Sequence, residues 1–338
     1  MAVDVARPPV SPPREGSTRR TALLVIGALA AVVLVIRVAD PESVAWLQNF
    51  FIVFGSLLVE AMPFVLLGAF VSAAIEVFVP TSTFAKLGRL PRPLQLPAAA
   101  LAGVAFPVCE CGSVPVARRL AQKGLAPSAA VTFMLAAPIL NPVVVASTYV
   151  AYRGRDSLWI MVFGRMGLGF LVAVAVGWVV GNTRKDDLLR PRPDDDALDE
   201  IEADEPRWSR FSSHLTGDFL FMGRFLVLGA AIAAAVQTFF PQALLGKVAN
   251  LPILSLIAMM GLAFLMSLCS ESDAFVAASF TQFGPAAQLA FLVSGPMIDL
   301  KLGALYAGTY SKGFLRTVTI VVFAVTLVGT LWIQVVFG

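Results

Sequence analysis

Charge is what this chain has least of. Only 14% of its 338 residues are Asp, Glu, Lys or Arg, against about 25% in an ordinary soluble domain. With 58% hydrophobic residues, that scarcity excludes a solvated globular domain. Histidine is reduced to one residue, His214, which excludes a histidine-based metal centre; next to a polar segment, it reads as solvated. Cysteine is nearly as rare. Cys109, Cys111 and Cys269 form no disulfide framework, and a bridge between two cysteines as close in sequence as Cys109 and Cys111 would be strained. No glycine-rich phosphate loop is present, which argues against ATP hydrolysis by the chain itself. Nothing in the sequence marks a nucleic-acid partner. Apolar and polar residues do not alternate along the hydrophobic segments, so a β-barrel is excluded as well.

Apolar runs of about 20 residues, the length that crosses a bilayer, recur instead. Candidate spans fall at about 21–37, 48–79, 126–150, 157–181, 217–240, 285–308 and 314–337. Two further apolar segments, about 94–121 and 251–282, are interrupted by the cysteine motifs. The fold class is therefore an all-α polytopic membrane protein, multi-pass in the plasma or inner membrane, with the lipid bilayer as its solvent. The proline-rich residues 1–20 read as a disordered cytoplasmic N-terminus. Arg19 and Arg20 precede the run 21–37, which lacks a small-residue cleavage site and reads as an extra, uncleaved helix. Residues 182–212 form a polar linker around the acid run Asp194–Glu205, and its composition is that of a flexible tether.

The linker separates two copies of one pattern. Leu67–Pro80 aligns without a gap on Leu228–Pro241, with seven of fourteen positions identical. Cys109 corresponds to Cys269, and Pro127 and Pro138 correspond to Pro285 and Pro296, each pair eleven residues apart. Asn141 and Asp299 each fall three residues after the second proline. We read two homologous repeats, 45–181 and 213–338, each of about four membrane segments. Duplicated membrane halves place a substrate site at the repeat interface. Lys86, Arg89 and Arg92, and then Arg118, Arg119 and Lys123, all prefer the cytoplasmic side. Both preferences hold if 94–121 enters and leaves on one side, which gives inverted repeats with re-entrant or broken helices. Arg153 and Arg155 would then lie outside, which favours the alternative of full spans and parallel repeats.

Chemistry concentrates in the two motifs. Thiolates are soft ligands suited to Cu(I), Zn and similar ions, so Cys109, Cys111 and Cys269 are candidate metal or metalloid ligands; each also fits as an ordinary small buried residue. Carboxylates at membrane depth are a functional hypothesis by default. Glu60, Glu76, Glu110, Glu271, Asp273 and Asp299 lie in apolar segments. Of these, Glu110, Glu271 and Asp273 belong to the motifs and can bind protons or cations. Glu60 and Glu76 also fit span ends, and Asp299 also fits a pair with Lys301. Ser113 and Ser270 can satisfy broken backbone or line a polar path, and Asn141 matches Asp299. Arg165 and Arg224 are intramembrane bases able to neutralise an acid. The candidate substrate-binding set is Cys109, Glu110, Cys111, Ser113, Asn141, Cys269, Ser270, Glu271, Asp273 and Asp299.

At Cys109-Glu-Cys-Gly-Ser-Val-Pro-Val116, Ala137-Pro-Ile-Leu-Asn-Pro142, Leu268-Cys-Ser-Glu-Ser-Asp-Ala-Phe-Val-Ala-Ala-Ser-Phe280 and Gly295-Pro-Met-Ile-Asp-Leu-Lys301, the chain resembles the predicted-permease family that includes the bacterial organoarsenical efflux permeases. The likeness covers about residues 45–338, leaving out the linker. It implies a multispanning inner-membrane carrier rather than an enzyme, and in the characterised branch export of trivalent methylated or aromatic arsenicals. The expected function is secondary efflux of a small soft or thiol-reactive solute (a metalloid, organoarsenical or soft metal), coupled to protons. No cofactor is called for. The expected partners are the bilayer and the solute, with a homo-oligomer or accessory subunit in addition. The alternatives are a membrane thiol oxidoreductase or metal-handling scaffold, and the membrane subunit of a multi-protein permease complex.

Overall fold

A computed structural model describes residues 45–80, 91–105, 108–181, 185–190, 206–239 and 251–337. The expected disordered N-terminus, the extra helix 21–37 and the acid run 194–205 lie outside the described residues. Contacts gather into a compact unit, 52–338; of the unit 1–51, the described residues begin the first helix.

Thirteen helices are present among the described residues: α1 Ala45–Phe78, α2 Arg92–Ala105, α3 Glu110–Gln122, α4 Pro127–Leu140, α5 Pro142–Tyr152, α6 Leu158–Val180, α7 Lys185–Leu188, α8 Arg207–Phe239, α9 Pro252–Met266, α10 Asp273–Ser279, α11 Pro285–Ser294, α12 Leu300–Thr309 and α13 Lys312–Phe337. Among the described residues, five segments are long and apolar enough to cross a membrane: Trp46–Phe78, Pro127–Tyr152, Leu158–Val180, Arg207–Phe239 and Lys312–Val336. The protein is a multi-pass membrane protein. Its central segment is Pro127–Tyr152, with 78% of its apolar window buried, against 17% for Trp46–Phe78 and 22% for Lys312–Val336. The latter two present Ile52, Val59, Trp332 and Val335 outward, where a bilayer supplies the apolar solvent.

The interruptions have local causes. Asn141 stands before Pro142, and a residue before proline is pushed out of the α region; its backbone is extended at φ −56°, ψ 127°. Its side chain then caps α5, Oδ1 accepting from the Val143 amide at 2.9 Å. Asp299 does the same for α12, Oδ1 accepting from the Leu302 amide at 2.6 Å. Residues 285–308 are thus not the single span expected. Gly295 and Pro296 end α11, and Asp299 restarts the chain as α12. Ser267 closes α9 in the left-handed region, at φ 48° and ψ 42°, just before Cys269. A side chain there costs about 1–2 kcal/mol. Ser267→Gly is expected to hold or raise the melting temperature and Ser267→Val to lower it, as read by thermal unfolding in detergent.

Packing joins the two halves crosswise. α3 lies on α12 and α5 on α10, while α6 lies on α13. Within each half, α2 packs on α4 and α9 on α11. α3 and α12 run in the same direction: their starts are linked by Glu110 and Lys301, and their ends by Arg118 Nη1 donating to the Thr309 carbonyl at 3.3 Å. Arg155, just past α5, likewise donates to the Ala278 carbonyl near the end of α10 at 2.8 Å. Residues 188–190 of the expected flexible tether are docked, with Arg190 N donating to Thr309 O and Ser311 N to Leu188 O. α8 already starts at Arg207, ahead of the expected boundary at 213.

Candidate functional site

Glu110 opens α3 and Asp273 opens α10. A carboxylate in a first helical turn is favoured by the exposed amides and the helix dipole, so each broken motif places its acid at a helix start. The two starts meet. Ser270 Oγ donates to Glu110 Oε2 at 2.9 Å, and Lys301 Nζ stands 3.3 Å from Glu110 Oε1. Cys269 Sγ donates to Glu271 Oε2 at 2.7 Å. The Cys109 thiol neighbours both the Cys111 and Cys269 thiols. All three cysteines are buried and free. Glu110, Cys269 and Glu271 offer ligand atoms that all lie within 4.8 Å of one another.

A second arm fixes the later motif. Arg165, buried midway along α6, donates through Nη2 to Asp273 Oδ2 at 2.7 Å and to the Ser270 carbonyl at 3.1 Å. Its Nη1 donates to Thr148 Oγ1 at 2.9 Å. From α1, Glu60 Oε1 accepts from Ser272 Oγ at 2.9 Å. Four acids (Glu60, Glu110, Glu271 and Asp273) therefore share the region with two bases, Arg165 and Lys301. With the carboxylates ionised, that balance suits a cationic occupant rather than an anionic one.

Of the expected set, Cys109, Glu110, Cys111, Cys269, Ser270, Glu271 and Asp273 are brought together. Ser113 instead donates back to the Glu110 carbonyl within its own helix turn, at 2.9 Å. Asn141 and Asp299 act as helix caps. Lys301 pairs with Glu110 rather than with Asp299. Arg224 is exposed and stacks over Phe221 and Phe225, 4.4 and 4.9 Å from the ring centroids, so it neutralises no motif acid. Glu60 is no span-end residue, since it reaches the second motif.

A separate polar network lies at the far end of α3. Arg119 pairs with Glu76 at 3.1 Å and with Asp218 at 3.5 Å, Lys123 pairs with Glu76 at 3.4 Å, and Ser72 donates to Asp218 at 2.6 Å. His214, expected in solvent, is buried, with Nδ1 3.4 Å from Arg119 Nη2. Arg118 and Arg119, expected as loop anchors, are buried too. The sequence signal missed here was Asp218, an acid near the start of an apolar run. Lys301 and Thr148 were missed as site residues for a different reason: each looks ordinary until the halves are folded together.

A family model described as "Predicted permease" matches residues 46–335. The chain is similar to "UPF0718 protein YcgR" of Bacillus subtilis (strain 168), 38% identical over 284 residues that cover 83% of this chain and 96% of that protein. It is also similar to the "Putative two-component membrane permease complex subunit" of Streptococcus mutans serotype c (strain ATCC 700610 / UA159), 32% identical over 252 residues, 74% of this chain and 83% of that protein. No solved structure matches.

Proposed function

The chain belongs to the predicted permease family, and from that membership we propose a secondary carrier built of two inverted repeats that exports a small soft or thiol-reactive solute. The solute is held by Cys109, Cys111 and Cys269, and protons are coupled through Glu110, Glu271 and Asp273. One observation carries this reading. Two broken motifs, one from each half, meet in a single buried cluster, with Ser270 bonded to Glu110. Broken backbone at membrane depth is tolerated where it faces protein or a water-filled cavity, and repeat interfaces are where carriers place substrates. The repeat reading is supported by the order of elements. Each half runs long helix, half-helix, cysteine motif, half-helix, proline-started half-helix, side-chain-capped half-helix, long helix.

The test is uptake into everted vesicles of a trivalent arsenical or a soft metal. Replacing Cys109, Cys111 and Cys269 together by serine is expected to abolish accumulation. Glu271→Gln is expected to flatten its dependence on pH, because the amide no longer takes up or releases a proton. Uptake unchanged by the triple replacement removes the thiols from the mechanism. A pH profile unchanged in both Glu110→Gln and Glu271→Gln removes the motif carboxylates from the coupling. A second reading, the membrane subunit of a two-component permease complex, is favoured by the printed name of the Streptococcus mutans relative. It predicts that the purified chain alone, in sealed vesicles, moves no solute.

A further inference from the structure

Lys301 has no part in the cycle just described, yet its ammonium is buried beside the motif acids, 2% exposed. An ammonium carries three donors. Among the described residues it makes one pair, with Glu110 Oε1 at 3.3 Å, where charge-assisted bonds between nitrogen and carboxylate usually measure about 2.7–2.9 Å. Burying a charge is costly unless it is well paired. This one is held loosely, at a place where a cation is needed to offset surrounding acids.

We infer that Glu110, Cys269 and Glu271 form a binding site for a divalent cation of the zinc and cadmium type, and that Lys301 is the resident counter-cation which the ion displaces from Glu110. The inference rests on the proposed carrier site and narrows it: for a divalent cation Cys269 is the one thiol ligand, the two coupling carboxylates complete the set, and Cys109 and Cys111 stand beside it. One sulfur and two carboxylate oxygens are a donor set for a borderline-soft divalent ion; Cys269 binds as the thiolate, and the proton it now shares with Glu271 is released to solvent as the ion enters. Three protein ligands with an open fourth position is the arrangement of zinc sites that keep room for a water or another ligand. The three ligand atoms lie within 4.8 Å of one another; zinc bonds of about 2.0–2.3 Å would set them about 3.5 Å apart. Rotation of the two glutamate side chains covers that difference without moving backbone.

The displaced ammonium has a place to go. Asp299, two residues before Lys301 and fully buried, uses Oδ1 to cap α12, while its Oδ2 has no partner among the described residues. Asp273 likewise leaves Oδ1 without a partner at the edge of the cluster. We assign Asp299 Oδ2 as the second acceptor of Lys301, so that the ammonium pairs with Glu110 when the site is empty and turns to Asp299 when it is loaded. An empty site neutralised by Lys301 and a loaded site neutralised by the ion carry similar local charge, which lets both forms rearrange.

The experiment is calorimetric titration of zinc chloride into the full chain, reduced and held in lipid nanodiscs. The wild type is expected to bind at one site. Cys269→Ser and Glu271→Gln are each expected to weaken binding by at least about tenfold, which is about 1.4 kcal/mol; replacing Cys109 and Cys111 together is expected to weaken it less. Lys301→Met is expected to tighten binding by about tenfold by removing the competitor. Lys301→Arg, whose fork grips a carboxylate through two bonds, is expected to weaken it, and it keeps the buried pair if the methionine variant does not fold. No zinc binding by the wild type overturns the inference. So does a loss in the Cys109/Cys111 variant as large as in Cys269→Ser, or an affinity unmoved by both Lys301 variants. If zinc does not bind while vesicles still accumulate an arsenical, the carrier reading stands and the cation site falls. If zinc binds but no solute moves, the carrier reading falls alone.

Discussion

Replacing Arg165 with methionine is expected to cost about 3–5 kcal/mol of stability, the penalty for leaving one partner of a buried ion pair uncompensated. Arg165 is 1% exposed, and its guanidinium nitrogens reach Asp273 at 2.7 Å, Thr148 at 2.9 Å and the Ser270 carbonyl at 3.1 Å. One side chain thus ties α6 to α5, to α10 and to the broken backbone ahead of α10. Methionine fills much of the volume and supplies none of the donors. The carboxylate of Asp273 would remain in the protein interior with no cation beside it.

The double replacement Arg165→Met with Asp273→Asn separates the two roles of this arginine. It removes the stranded charge, so most of the stability should return, as thermal unfolding in detergent and a double-mutant cycle would show. Transport should not return with it. Ser270 would still lack the donor that fixes its carbonyl, and Ser270 is the residue whose hydroxyl meets Glu110 across the two halves. A single replacement costing no more than an exposed pair, about 0–1 kcal/mol, would show that the buried geometry is not what holds the motif.

The membrane class was legible because it rests on composition and run length, which survive any folding detail. The candidate spans near 48–79, 157–181 and 314–337 match single continuous helices, for which run length alone gives the bounds. The span 285–308 differs from the structure because hydropathy cannot distinguish a continuous helix from two shorter ones. The break at Gly295 and Pro296 costs no apolarity, and it is stabilised by a side-chain cap from Asp299 that only the fold reveals. The motifs themselves were legible, since a carboxylate between two cysteines in apolar sequence needs a reason. Their partners were not. Lys301 looked like a local mate for Asp299, two residues away, but helix geometry turns it toward Glu110 on another half-helix. His214 looked solvated beside an acidic segment, yet it starts the buried end of α8. For Lys301 and His214 the deciding contact is long-range, and no local pattern encodes it.

The two halves are alike in order and unlike in charge. Glu110 of the first motif is answered by Lys301 on the capped half-helix α12, whereas Asp273 of the second is answered by Arg165 on the long helix α6. Two halves of like element order with unequal counter-ions give one pair that is gripped through several bonds and one that is not. The gripped pair suits a structural anchor. The loose pair suits an exchange step, which is why the cation inference falls on Glu110 and not on Asp273.

The other large effect is expected from a replacement that removes no charged group. Gly68→Ala would place a Cβ 2.4 Å from the Gly112 Cα and 2.6 Å from its carbonyl oxygen. These are backbone atoms in the first turn of α3, beside Cys111, so they cannot swing aside; α1 or α3 must shift. Overpacking usually costs about 1–3 kcal/mol, and here the atoms that must move also carry Glu110, so transport should fall further than stability does. Gly229 occupies the equivalent place in the second long helix, and its added Cβ would meet the Lys301 Cα at 2.9 Å, a milder clash of the same kind. Gly223 in α8 has nothing within 4 Å, and alanine there should be neutral or stabilising by up to about 1 kcal/mol through helix propensity. The expected order of damage, in melting temperature and in vesicle uptake, is Gly68→Ala, then Gly229→Ala, then Gly223→Ala. Glycines matched in the aligned blocks would then be doing the same job, letting a long helix touch the half-helix that carries a member of the Glu110–Lys301 pair. If Gly68→Ala behaved like Gly223→Ala, the close crossing of α1 on α3 would be wrong, and with it the placement of Glu110 against the second half.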